Sequence, residues 1–283
     1  MKNINKITTI VIGKRSNLSY ILSKRLHTVD LLSSESLLKS LFQLNKYNGM
    51  EVNVVFNNFQ PSTQLKSFEN PLLYVEISIS LTVRVLKYLI DTSAKINKII
   101  YTSSSSVYGN SSITNEEYQP CPVSIPSSLK HLNEQFLEQI CLQYNLNLTV
   151  VRVFNMYGGN DEFSIIHKIY DCYLSKAVLT IFNNGNSVRD FIHINDVVNI
   201  YEKLLLDSSI DINILNIGSG KGQSLSNILK NLSKNGYCIA TRNIYSKEIP
   251  LSKANIVILS NIIDVTSFID VNEYLLKKLN GVK

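Results

Sequence analysis

The chain has 283 residues, 45% of them apolar and 18% charged, an ordinary globular balance with length for one large domain or a domain plus a smaller lobe. Its formal net charge is +6, but no run of Lys and Arg is interleaved with aromatics, so nucleic acid is not an expected partner. A dispersed basic surface suits anionic small molecules such as pyrophosphates.

In chain order, residues 7–12 read as a first strand, with too short an apolar run before Gly13 and Lys14 for a secretory h-region of roughly 7–15 residues. A helix follows over 18–26, with Leu18, Ile21, Leu22 and Leu26 on one face. Next come a strand at 28–32, a helix at 35–44 and an apolar strand at 52–56. Residues 72–90 read as a long helix, opened by Asn70-Pro71. It is the most membrane-like stretch, but Glu76 and Arg84 interrupt the roughly 20 apolar residues a span requires. A strand at 98–101, a helix at 128–143 and a strand at 146–153 complete an alternation that predicts an α/β Rossmann-type fold with a doubly wound parallel sheet.

Beyond about residue 155 the pattern loosens. Asn184-Gly185 between 179–182 and 188–192 reads as a hairpin turn, followed by a helix at 196–206, a strand at 213–217 and a helix at 224–232. The division expected is residues 1–155 as a dinucleotide-binding core and 156–283 mainly as a smaller substrate-binding lobe, with some segments free to return to the core. Cys121, Cys141, Cys172 and Cys238 are scattered, with no C-x-x-C pair and no Cys/His cluster, so a reduced compartment and no metal site are expected. A soluble, cytoplasmic protein without a membrane partner is the matching expectation.

The chemistry-bearing residues begin at Gly13. A strand running into Gly13 and then a helix beginning around Ser16, Asn17 and Leu18 gathers backbone N–H groups and a positive dipole end, suited to a pyrophosphate. The dinucleotide fingerprint wants further glycines, and here Ser16 and Ser19 stand in a G-x-x-S-x-x-S array. Asp30 lies within the second strand rather than at its end, where Ser33-Ser34 stand, and Arg15 or Lys14 offers charge for a 2′-phosphate; spacing leaves NAD and NADP both open. The strand ending Tyr101-Thr102-Ser103-Ser104-Ser105-Ser106-Val107-Tyr108-Gly109 puts hydroxyls at the carboxyl edge of the sheet, where such folds bind ligands; a polar capping loop is the plainer alternative.

Four segments in order carry a resemblance. YTSSSSVYG, VVRVFNMYGG (150–159), NGNSVRDFIHINDV (184–197) and Asn216-Ile217-Gly218-Ser219-Gly220 together resemble the nucleotide-sugar epimerase/dehydratase branch of the extended short-chain dehydrogenase/reductases. The resemblance implies that Ser104 hydrogen-bonds the reacting sugar oxygen and that Asn155 and Arg189 hold the sugar-nucleotide diphosphate, a task suited to the planar guanidinium. It implies NAD or NADP at Gly13, Arg15, Ser16, Asn17, Leu18 and Lys130, and a homodimer through the helices at 71–93 and 128–143. The substrate implied is a nucleotide-diphosphate sugar changed at C4 by epimerisation or by reduction of a 4-keto-6-deoxy sugar, in surface polysaccharide precursor synthesis. His193 and Asp196 read as structural.

One departure is serious. The family transfers a proton with Y-x-x-x-K; Lys130 stands where its lysine belongs, but Pro126 occupies the tyrosine position. Pro suits a helix start and cannot exchange a proton. Three alternatives stay open: a phenol from Tyr108 or Tyr157, a slower reaction using Ser104, cofactor and solvent, or a protein that binds a nucleotide sugar without catalysis.

Overall fold

The computed structural model describes residues 7–58, 71–112 and 114–281. Asn70 falls outside these residues, and Pro71 opens a helix as expected. In chain order the elements are β1 (Thr8–Ile12), α1 (Asn17–Arg25), β2 (Val29–Leu32), α2 (Ser34–Lys39), β3 (Glu51–Phe56), α3 (Pro71–Val75), a π-turn (Glu76–Ser80) running into α4 (Leu81–Asp91), β4 (Lys95–Ser104), α5 (Ile125–Tyr144) and β5 (Leu148–Val153). There follow β6 (Asn155–Tyr157), α6 (Ile165–Ser175), β7 (Leu179–Phe182), β8 (Val188–His193), α7 (Ile194–Leu206), β9 (Ile214–Ile217), β10 (Gly222–Ser224), α8 (Leu225–Lys234), β11 (Thr241–Ile244), β12 (Leu251–Ser252), α9 (Val257–Ser260) and α10 (Val271–Asn280).

A six-stranded sheet runs in the order β2-β1-β3-β4-β5-β9, the Rossmann-type arrangement expected from the alternation of strands and helices. Its strands are apolar on both faces: Ile10, Ile12, Val54, Phe56, Ile99 and Tyr101 are buried on one, packed with Leu86 and Leu89 of α4 and Leu137 of α5, and Val11, Val55 and Ile100 are buried on the other. No helix among the described residues is long and apolar enough to cross a membrane.

The chain forms two compact units. The first comprises Met1–Val107, Pro122–Arg152 and Tyr201–Leu215; the second comprises Tyr108–Cys121, Val153–Ile200 and Asn216–Lys283. The second has its own core, in which Ile166 and Ile169 of α6, Ile228 and Leu232 of α8, and Leu275 and Leu279 of α10 pack around Tyr157.

The expected hairpin at Asn184-Gly185 does not form. The turn is present, with Asn183, Asn184 and Gly185 all at positive φ. The strands part after it: β7 pairs with β11, and β8 pairs with β6, β10 and β12. The C-terminal segment takes the turn's hydrogen bonds instead. Asn184 N donates to Asn243 Oδ1 (2.7 Å) and Asn183 Nδ2 to the Ser246 carbonyl (2.6 Å).

Candidate active site

In the first unit, β1 ends at Gly13, whose φ is +111° and whose missing Cβ would lie 2.0 Å from the Asn57 carbonyl oxygen. Only glycine fits so close a backbone crossing. Gly13 N and Lys14 N donate to the Leu32 carbonyl, drawing the loop against the end of β2. The two serines that replace glycines are tied down from one point. Asn57 Nδ2 donates to Ser16 Oγ (2.7 Å) and to the buried Ser19 Oγ (2.8 Å). Ser16 N-caps α1 without using its side chain, so its hydroxyl proton and the first turn of α1, at Asn17 and Leu18, stand at the positive end of the helix. The crowded Gly13 turn and this helix end fit a dinucleotide pyrophosphate.

Asp30 is spent elsewhere: it accepts from Tyr47 Oη (2.8 Å) and pairs with Lys46 (2.9 Å). Arg15 forms an exposed ion pair with Glu35 at 2.8 Å. Glu35 follows Gly13 at about the interval of the fingerprint's ribose-binding acid, a position the sequence reading passed over in favour of Asp30 and Ser33.

At the end of β4 the hydroxyls divide. Thr102 Oγ1 bonds Tyr201 Oη (2.8 Å), and Ser103 Oγ donates to Glu134 Oε1. Both residues are buried; Ser104, which follows, is half-buried and accepts from Ser106 N (3.2 Å). The start of α5 is fixed by a capping box between Ser124 and Ser127, with Pro126 in the first turn. One turn on, Lys130 Nζ approaches the Thr102 carbonyl at 3.4 Å. Burial lowers its ammonium to about 7, with Glu134 opposing the shift. Glu134, nearly buried, takes Arg152 Nη2 at 2.8 Å, and these contacts hold its carboxyl below the usual range despite burial.

In the second unit, Asn155 Nδ2 donates to the Asp190 carbonyl (3.0 Å). Arg189 Nη1 donates to the carbonyls of Val188 (2.9 Å) and Ile249 (2.8 Å), and Nη2 stands 3.8 Å from Glu248. The sequence reading missed Asp190. Fully buried, its carboxylate accepts from Ser219 N and Oγ, Gly220 N and Ala254 N at 2.6–3.0 Å, which joins the R-D-F segment to the Asn216–Gly220 turn. A Cβ on Gly218 would meet the Ala254 Cβ at 2.5 Å. His193 packs against Tyr157 and Tyr274 at centroid distances of 5.2 and 5.1 Å, and a Cβ on Gly158 would strike its Nε2 at 2.4 Å. Asp196 accepts from Ile269 N (3.0 Å).

The two candidate phenols are both buried. Tyr108 is 1% exposed and donates to Asn216 Oδ1 (2.8 Å). Tyr157 is equally buried and donates to the Ile269 carbonyl (2.8 Å); burial and the nearby Asp196 and Asp270 push its phenol further up. Each hydroxyl is part of the packed interior of the second unit.

The profile of the NAD dependent epimerase/dehydratase family matches residues 3–218. The chain belongs to that family. UDP-glucuronate 4-epimerase of Thermodesulfobacterium geofontis is 31% identical over 173 residues, covering 59% of this chain and 52% of its own. Protein CapI of Staphylococcus aureus is 28% identical over 188 residues, covering 60% and 55%. This chain spans between 52% and 61% of the length of these and two similar curated relatives. Among solved structures, MoeE5 in complex with UDP-glucuronic acid and NAD shares the fold with a TM-score of 0.83 at 18% identity, over 98% of this chain and 100% of that one.

Proposed function

We propose that the chain is an NAD(P)-dependent enzyme that changes a nucleotide-diphosphate sugar at C4, by epimerisation or by reduction of a 4-keto sugar. The observation that carries the reading is the edge of β4. Of the hydroxyls at Thr102, Ser103 and Ser104, only that of Ser104 is left half-exposed, and Lys130 comes to the same strand end. Bound at Gly13, Ser16, Asn17 and Leu18, the dinucleotide supplies the acceptor and donor of a hydride. Ser104 Oγ orients the reacting sugar oxygen, and the Lys130 amino group binds the cofactor ribose. Asn155 and Arg189 hold the diphosphate, with Asp190 fixing the backbone on which Arg189 stands. A homodimer belongs to the same proposal, since α3 and α5 leave Leu72, Leu132 and Phe136 exposed; a monomer mass by sedimentation at micromolar concentration removes that part.

The relatives' names and the structural neighbour's ligands support a UDP-sugar and NAD as the first compounds to try. The test is calorimetric binding of NAD, NADP, UDP and dTDP, with turnover of UDP-glucose, UDP-glucuronic acid and dTDP-4-keto-6-deoxyglucose by wild type and Ser104→Ala. Binding with turnover lost in the variant is expected. A second reading, a nucleotide-sugar-binding protein without catalysis, is favoured by Pro126; nucleotide binding with no turnover by wild type selects it.

A further inference from the structure

Taking a hydride from a carbinol carbon also requires that its hydroxyl proton go somewhere. Pro126 cannot take it, and Tyr108 and Tyr157 are bonded into the interior of the second unit. We propose that Lys130 is itself the proton-transfer residue: its neutral amine takes the proton from the sugar hydroxyl held by Ser104, and the resulting ammonium gives it back. The inference rests on the enzymatic reading above.

Placement carries the argument. Lys130 lies four residues after Pro126, on the helical face where the family's phenol would stand. Its Nζ reaches the Thr102 carbonyl at 3.4 Å, a long contact two residues before Ser104. Proline at 126 places no phenol on that face. The carboxylate that acts on Lys130 is committed. Glu134 holds Arg152 and Ser103, and His131 turns its Nδ1 toward Glu134 at 3.5 Å. Tyr101 is fully buried, its hydroxyl 3.4 Å from the Lys130 carbonyl.

The surroundings also suit a lysine that releases its proton near neutrality. Glu134, one turn along α5, is the charge acting on Lys130, and Arg152 from β5 and His131 cluster on that same carboxylate. From β4, Tyr101 presents a phenol kept protonated by burial. The π-turn and α4, packed against α5, bring Ser78 and Thr82 to Asn133 of α5, and neither carries charge. Burial therefore prevails and brings the amine to about 7. The step balances: the carbinol C–H pair leaves as hydride to the oxidised nicotinamide, the O–H proton moves to Nζ, and C=O forms. Return of the hydride to the opposite face of C4, and of the proton from Nζ to the carbonyl oxygen, would complete an epimerisation.

Two measurements test this. The first is pH-dependent acylation of Lys130 in the ligand-free wild-type protein, read by mass spectrometry. A midpoint near 7 is expected, and one near 10 overturns the proposal. The second is Lys130→Arg, which keeps the positive charge and cannot release a proton near neutrality. Retained NAD affinity with turnover of UDP-glucose or UDP-glucuronic acid lowered by ~100-fold or more is expected, the range of a lost general base. Turnover within tenfold of wild type overturns the proposal and leaves the enzymatic reading standing. Wild type that turns over neither of these two sugar nucleotides nor dTDP-4-keto-6-deoxyglucose with NADH or NADPH, with NAD bound or not, overturns both.

Discussion

Single residues in this protein are held by partners far away in the chain, and their titration reports it. His193 is 6% exposed, and burial lowers its imidazole to about 4. The unfolded chain takes up a proton near pH 6.5 while the folded chain does not until about pH 4. Folding thus loses stability as pH falls through that window, by about 2 kcal/mol from this group between pH 7 and pH 5. Urea unfolding of wild type and His193→Phe at the two pH values should show a steeper fall in wild type by that amount; parallel falls contradict the assignment. At this scale short motifs in the sequence bring Gly13, Ser104 and Lys130 forward as candidates. It was silent on Asn57, which holds both substituted serines, because those serines lie 41 and 38 residues away. It was equally silent on Asp190, whose donors lie 29 to 64 residues further on.

Among the elements, α5 and its neighbours depend on buried polar contacts. Asn58 Nδ2 donates to the Ile77 carbonyl (2.6 Å) and Asn133 Nδ2 to that of Ser78 (2.7 Å), so two side chains satisfy carbonyls of the π-turn. Glu134 fastens α5 to β4 through Ser103 and to β5 through Arg152, which is 2% exposed. Arg152→Ala would leave that carboxylate buried without its cation, at a cost of about 3–5 kcal/mol. The denaturation midpoint should drop accordingly, and a loss under 1 kcal/mol would mean Glu134 is not sustained by Arg152. Strands and helices of the first unit were readable because hydrophobic period and length agree there. The hairpin was misread because a left-handed Asn-Gly turn marks a reversal without saying which strands pair across it. Short β10, β11 and β12 carry too few residues for any period to show.

For the molecule as a whole, the two units supply separate predictions. In hydrogen exchange, saturating NAD should protect amides around Gly13–Leu18 and Lys130 in the first unit, while UDP should protect those around Asn155 and Arg189 in the second. At a hundredfold excess over Kd, each ligand stabilises what it binds by about 2.7 kcal/mol. UDP protection confined to the Gly13 loop would reverse the assignment of the units.

The order in which the chain visits the units also bears on its synthesis. β5 finds its outer neighbour only in β9, and Lys98 Nζ and Thr149 Oγ1 are bonded by the carbonyls of Ile210 (3.1 Å) and Ile212 (2.6 Å). On a ribosome elongating at roughly 5–20 residues per second, the stretch between β5 and β9 takes on the order of several seconds to emerge. Through that interval the nascent sheet offers a bare, hydrophobic strand margin to any chaperone, or to a neighbouring nascent chain on the same message.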